Sequence, residues 1–446
     1  MPKVSAGSTN LKKMNIILSP FANIFSMMSG SFSAVLDVWF IVFPPLFFFL
    51  FEILWEHHVQ GNYASKLKWV LLEIIPPRDS EKSPLLMESI YAGLAGVETT
   101  PSTAEEWIKG QFGAYFSLEI VSIEGQVHFY VRSPVNFRGL VEAHFYAQYP
   151  SVEITEVEDY IYNVPQTVPN KDWDLWGTDF LLADEDLYPI RTYKYFEETV
   201  TGKMIDPLAG IIETMAKIGP GQHLWLQFIV TPLHPKIAKE LQKTVDEFLG
   251  KEEKKHASLL GSLFSGIGDI FSNLGRGLMG RELAFSSHDE KESKDEAPVE
   301  FRLTPGEKEK LKALEANIGK QMFRTRMRHA YIARREVFNK GVGVSAFIGA
   351  IKQFNDENLN SFKPDDGTKT YANYFMKSDR LRYRQRRLFR RYVNRDSDPQ
   401  GTRFILSSEE LATVFHIPDM SITAPALTRI ASKRGGAPSN LPIQEL

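Results

Sequence analysis

One apolar run, Val35-Leu-Asp-Val-Trp-Phe-Ile-Val-Phe-Pro-Pro-Leu-Phe-Phe-Phe-Leu-Phe-Glu-Ile-Leu-Trp55, constrains the 446-residue chain more than any other feature. At about 1.5 Å per helical residue, about twenty residues cover the roughly 30 Å hydrocarbon core of a bilayer. Trp39 and Trp55 stand near the ends of the run, where aromatic rings favour an interface. The run predicts a transmembrane helix over 35–55, with Trp39, Phe43, Pro44, Pro45, Phe48 and Trp55 as its membrane residues. Pro44 and Pro45 must kink such a helix, and Asp37 and Glu52 fit only near its two ends. A buried core helix or a re-entrant hairpin are the alternatives. In the preceding segment, 1–34, Ile17, Phe21, Ile24, Phe25 and Met28 share one helical face, a candidate interfacial helix. Three lysines before the run, Lys3, Lys12 and Lys13, are matched after it by Lys66, Lys68 and Arg78, so charge assigns no orientation.

From Trp69 onward the pattern is that of a folded α+β body. The run Trp69-Val-Leu-Leu-Glu-Ile-Ile75 reads as a strand, and 84–95 as a helix. Two β-rich segments, 114–123 and 126–132, are joined by Glu124-Gly125, a tight-hairpin signal. A helix over 135–148 and a strand over 152–157 complete the order βαββαβ, which predicts a ferredoxin-like domain over 66–165. The same order can be traced again over 172–425: strand 190–196, helix 207–217, strand 224–230, strand 326–333, helix 336–353 and strand 403–406. This second ferredoxin-like unit carries an insertion at 235–322, with a glycine-rich amphipathic stretch at 256–283 and a disordered linker at 286–300. A tail at 426–446 closes the chain.

Chemistry is hard to find. Cysteine is absent, which removes disulfides, thiolate metal sites and cysteine nucleophiles. No Gly-rich loop ends in Gly-Lys-Ser/Thr, no His-Glu-x-x-His pair occurs, and no Gly-x-Ser-x-Gly elbow exposes a serine. His57 and His58 are adjacent and share no helical face. The expectation is a protein that is not an enzyme and takes no cofactor.

Charge is distributed unevenly. The net charge is −3, but residues 301–446 carry +12 and residues 1–300 carry −15. An anionic partner therefore suits the rear of the chain. The densest positive segment is 377–395, where Lys377, Arg380, Arg382, Arg384, Arg386, Arg387, Arg390, Arg391 and Arg395 alternate with Tyr383, Phe389 and Tyr392. Guanidinium groups neutralise phosphates and aromatic rings stack on bases, so the segment is a candidate contact for nucleic acid. Anionic lipid is a second candidate ligand, and ion pairing with the acidic front of the same chain a third reading. Nearer the C-terminus, Ser407 and Glu410 form a capping-box pattern ahead of a short helix stopped at Pro418.

Several stretches carry a family resemblance: Leu85-Leu-Met-Glu-Ser-Ile-Tyr-Ala-Gly-Leu94, Val127-His-Phe-Tyr-Val131, His144-Phe-Tyr-Ala-Gln-Tyr-Pro150, residues 346–364 with Lys352-Gln-Phe-Asn355, Glu410-Leu-Ala-Thr-Val-Phe-His-Ile-Pro418, and Asn440-Leu-Pro442. In these the chain resembles the N-terminal, membrane-proximal region of conjugative DNA-transfer ATPases of the type IV secretion class from small bacterial genomes. In that family the Asn-Leu-Pro stretch leads into a nucleotide-binding domain, whereas here only Ile443-Gln-Glu-Leu446 follows. The resemblance implies a single-pass inner-membrane protein with a cytoplasmic body, a non-catalytic scaffold or motor-docking subunit of a DNA-transfer apparatus. Its expected partners are the lipid bilayer, a separate P-loop ATPase or other secretion subunits, DNA, and further copies of itself. The alternative is a membrane-tethered nucleic-acid binder acting through 377–395.

Overall fold

In the computed structural model the described residues are 39–77, 83–98, 101–102, 104–196, 205–234, 304–396 and 403–419. The expectations for 1–34, 256–283, 286–300 and 426–446 lie outside them. The chain divides into two compact units, 1–67 with 101–112, and 68–100 with 113–446.

The smaller unit is built on α1, Trp39–Lys66. Among the described residues no helix is long and apolar enough to cross a membrane, so the transmembrane helix expected over 35–55 is corrected. The helix carries the apolar sequence as far as Trp55. It then continues through Glu56, His57, His58, Gln60 and Asn62 as an ordinary polar helix. Pro44 and Pro45 withdraw two backbone donors inside it, and Glu52 interrupts the apolar sequence. Phe48 is exposed, whereas Trp55 is tied down: its Nε1 donates to the Trp107 carbonyl at 2.7 Å. Trp107 belongs to a π-helical turn, Glu105–Lys109, closed by Gly110 at φ 66°. A Cβ there would lie 2.2 Å from the Val59 backbone, so only glycine fits the turn against the helix.

The larger unit is a single antiparallel sheet with helices on both faces. Its elements in chain order are β1 Trp69–Ile75, α2 Leu85–Ala95, β2 Phe116–Ile123, β3 Gln126–Pro134, α3 Arg138–Gln148, β4 Glu153–Glu156, β5 Trp173–Leu182, α4 Ala209–Ala216, β6 Gln222–Pro232, α5 Pro305–Ile318, β7 Met322–Arg334, α6 Phe347–Ile351, β8 Phe362–Pro364, α7 Lys377–Val393, β9 Phe404–Ser407 and α8 Ser408–Val414. Among the described residues nine strands form the sheet, eight in the order β4-β1-β3-β2-β6-β7-β5-β8 and β9 paired to the start of β7.

The fold class is thus α+β on one nine-stranded sheet, which corrects the expectation of two separate ferredoxin-like sandwiches behind a spanning helix. The seam explains why. β2 and β6 pair in continuous register from Phe116↔Val230 to Ile123↔His223, leaving no free edge between the halves. One apolar core then spans both, joining Leu72, Ile90 and Phe145 to Leu226, Phe323, Phe347 and Leu411. Its helices α2 and α3 meet at Gly93, where a Cβ would stand 2.2 Å from the His144 ring.

One strand expectation moves. Residues 190–196 hold only a 3₁₀ turn, Tyr193–Phe196, and the strand that opens this half is β5. Asp174, Gly177 and Asp179 disguise it, since aspartate and glycine are poor strand formers in isolation. The short strand β8, which pairs with the end of β5, was not among the expected strands.

Candidate nucleic-acid interface

The basic segment folds as α7, with Gln385, Leu388, Phe389 and Tyr392 as its buried stripe. That stripe packs on Trp225, Ala330 and Ile332, on the face of the sheet away from the other core helices. Close approach depends on Gly177 in β5: a Cβ there would stand 2.4 Å from Leu388 Cδ2 and 2.5 Å from the His329 carbonyl. The loop before α7 is pinned to the same glycine, whose amide donates to Thr370 Oγ1 at 2.9 Å while Thr370 N donates back to its carbonyl at 2.9 Å. Gln385 Nε2 donates to Asp174 Oδ1 and to the Leu175 carbonyl, fixing the middle of the helix.

Beneath α7 a line of buried polar residues crosses the sheet. Glu119, Gln227, Arg328 and Asp179 are direct cross-strand neighbours on β2, β6, β7 and β5, and all four are fully buried. Gln227 Nε2 donates to Glu119 Oε1 at 3.0 Å. Arg328 donates to Gln227 Oε1 at 3.2 Å and to Asp179 Oδ1 at 2.7 Å. The C-terminal end of α7 closes this row. Arg391 Nη1 lies 3.5 Å from Asp179 Oδ2. Arg395, in the left-handed region at φ 47°, donates to both Glu119 oxygens at 2.9 and 3.1 Å and to Asp159. Burial raises the Glu119 pKa, but the Arg395 charge and hydrogen bonds from Arg395, Ser117 and Tyr160 outweigh it, and the carboxyl is held at about 2.

The structure therefore sorts the expected contact residues into two groups. Phe389 and Tyr392 are buried in the core and Arg395 in the ion-pair row, so none of the three faces solvent. Arg391 is shared between Asp179 and Asp396, and Arg384 donates from Nη1 to the carbonyls of Asp366, Lys369 and Tyr371. These arginines fasten the helix. Lys377, Arg380, Arg382, Arg386, Arg387 and Arg390 are exposed, as is Tyr383. At 100° per residue, Arg382, Arg386 and Arg390 form one row, and Arg380, Arg384, Arg387 and Arg391 a second on the other side of the buried stripe. Tyr383 lies between the rows.

Aromatic residues missed in the sequence lie just before the helix. Tyr374 is 91 % exposed, Phe375 81 % and Tyr371 53 %, and the backbone holds Tyr374 at φ 65° and Met376 at φ 52°. Non-glycine residues at positive φ are strained, so the fold displays these rings at a conformational cost. The signal was available, since Tyr371-Ala-Asn-Tyr-Phe-Met376 directly adjoins the arginine run. The loop and α7 also enclose a cavity of about 400 Å³, with Gly367 and Thr368 on one wall and Arg380, Tyr383, Arg384 and Arg387 on the other.

Residues 56–429 match the family described as Domain of unknown function (DUF8128), and the chain belongs to that family. No curated protein matches it.

Proposed function

We propose that this DUF8128 chain binds single-stranded nucleic acid along the exposed side of α7. The observation that carries this reading is the exposed arginine row Arg382, Arg386 and Arg390, with Tyr383 exposed on the same helix and Tyr371, Tyr374 and Phe375 exposed in the segment that leads into it. A cationic groove that tracks phosphates beside aromatic platforms is the working arrangement of sequence-tolerant single-strand binders, in which each stacked base contributes about 1–3 kcal/mol. The helix is also held firmly, because its inner arginines are engaged by the body of the protein and the outer ones point to solvent.

The resemblance to membrane-proximal regions of DNA-transfer ATPases supports the wider reading, a non-catalytic component of a DNA-transfer apparatus that works beside a separate P-loop ATPase.

The test is retention of a fluorescent oligothymidine by the purified chain across a salt series. Converting Arg382, Arg386 and Arg390 together to Gln is expected to lower the slope of log affinity against log salt by about 2, at roughly 0.7 for each phosphate no longer neutralised. Salt-insensitive retention by the parent chain, or an unchanged slope in the variant, would overturn the reading.

A further inference from the structure

The cavity beside α7 has a different chemistry from the helix surface. Three of its four arginines are already engaged by the protein itself. Arg380 Nη1 donates to the Asn373 carbonyl at 3.1 Å, Arg384 is held by three carbonyls, and Arg391 is paired with Asp179 and Asp396. Arg387 lines the same cavity and has no protein partner among the described residues. Its guanidinium is therefore free to bind a phosphate in bidentate fashion, while its neighbours keep the local potential positive.

A bare anion would be served by arginines alone, but the cavity also presents Asp379. A carboxylate opposes phosphate and accepts hydrogen bonds only, so it suits a ligand that carries donors at a distance from its phosphate. Asp379 and Arg387 are separated by about 12 Å along the helix axis, and Tyr383 stands midway with its side chain 63 % exposed. Leu388 supplies an apolar element to the lining. A free cation, a midway ring and a terminal acceptor match the three parts of a nucleotide: phosphate, base face, and amino or sugar-hydroxyl donors. The volume of about 400 Å³ lies in the range of small-molecule sites.

We propose that this cavity binds one nucleotide unit, with its phosphate on Arg387, its base against Tyr383 and its donors toward Asp379. The assignment rests on the nucleic-acid reading for the identity of the ligand and deepens it: the helix surface would hold a strand while the cavity seats a terminal or unstacked nucleotide.

Calorimetric titration of the full chain with AMP, adenosine, inorganic phosphate and glycerol phosphate tests it. AMP is expected to bind more tightly than the other three, and Arg387→Gln to weaken AMP about tenfold or more, the worth of a charged hydrogen-bond pair. Lys312→Gln, at an exposed position of α5 that does not line the cavity, is expected to leave AMP affinity unchanged. Glycerol phosphate binding as well as AMP would assign the cavity to phosphate alone, and AMP binding unaffected by Arg387→Gln would place the nucleotide elsewhere; either result overturns the proposal. Both variants alter exposed side chains, and their thermal melts serve as the folding control. If the chain retains oligothymidine but not AMP, the cavity assignment falls and the surface reading stands. If it takes AMP in an Arg387-dependent manner but retains no oligonucleotide, the surface reading falls and the cavity assignment stands.

Discussion

Glu119 and Glu410 are both fully buried, yet their pKa values lie far apart. Burial raises each of them. Under α7, the Arg395 guanidinium overrides burial and holds Glu119 at about 2. At the start of α8, Glu410 receives only hydrogen bonds, from the amides of Ser407 and Ile190 among others, and rises to about 7. Neutral donors do not replace the hydration that a buried carboxylate gives up, whereas a guanidinium at 2.9 Å does. The two faces of the sheet are accordingly secured in different ways. The α7 face depends on a continuous row of buried charges, and the α8 face on apolar contact with separate ion pairs, His416 with Asp206 and Lys320 with Glu409, beside one carboxyl that prefers to be neutral.

The largest effect is expected from removing the counter-charge. Arg395→Ala leaves Glu119 and Asp159 without their guanidinium and should cost about 3–5 kcal/mol in urea denaturation. If the loss is below about 1 kcal/mol, the row under α7 behaves as a surface pair and the contrast between the faces fails.

A second experiment uses pH. Glu119 has a folded pKa below its ordinary value of 4.5, so its stabilisation is complete above about pH 4.5 and drains away as pH falls toward 2. Glu410 has a folded pKa above 4.5, so its contribution is complete below about pH 4.5 and is lost as pH rises through 7. The neutral-side loss should amount to on the order of 3 kcal/mol. Glu410→Gln should flatten the stability profile between pH 5 and 8 (roughly the Glu410 window) without altering the acid limb. A profile that keeps its neutral-side slope in this variant would assign the slope to another group.

The smallest effect concerns how α7 is seated. Gly177→Ala places a methyl group 2.4 Å from Leu388, and the resulting overpacking should cost about 1–3 kcal/mol. Because Gly177 also anchors Thr370, the variant should weaken oligonucleotide retention while leaving the α8-side pH profile unchanged. Unaltered retention would show that the exposed arginines bind without a fixed helix.

The residues that were legible in the sequence were those whose environment follows from local pattern. The strand at Trp69, the Glu124-Gly125 hairpin and the Ser407–Glu410 capping box depend on near neighbours, and each lies where its pattern places it. The strand β5 was illegible because Asp179 is tolerated there through Arg328 and Arg391, both far away in sequence. The joining of the two halves into one sheet was hidden for a related reason: nothing in β2 or β6 alone states that they pair with each other. At the candidate site, the arginine run was visible as charge. Its division into fastening and free residues was not, since both kinds alternate at helical spacing and differ only in what lies opposite them. The apolar run at Trp39 misleads in the opposite way, because its length matches a bilayer while the same helix runs on as a polar one to Lys66.

The placement of β5 also has a kinetic consequence. Both of its strand neighbours, β7 and β8, lie more than a hundred residues further along the chain. At about 5–20 residues per second of synthesis, β5 waits on the order of ten seconds with neither edge paired. During that interval Trp173, Leu175, Trp176 and Phe180 have no sheet to join, and Asp179 has no arginine. The interval before β7 emerges is therefore one in which an unpaired aromatic strand is open to aggregation.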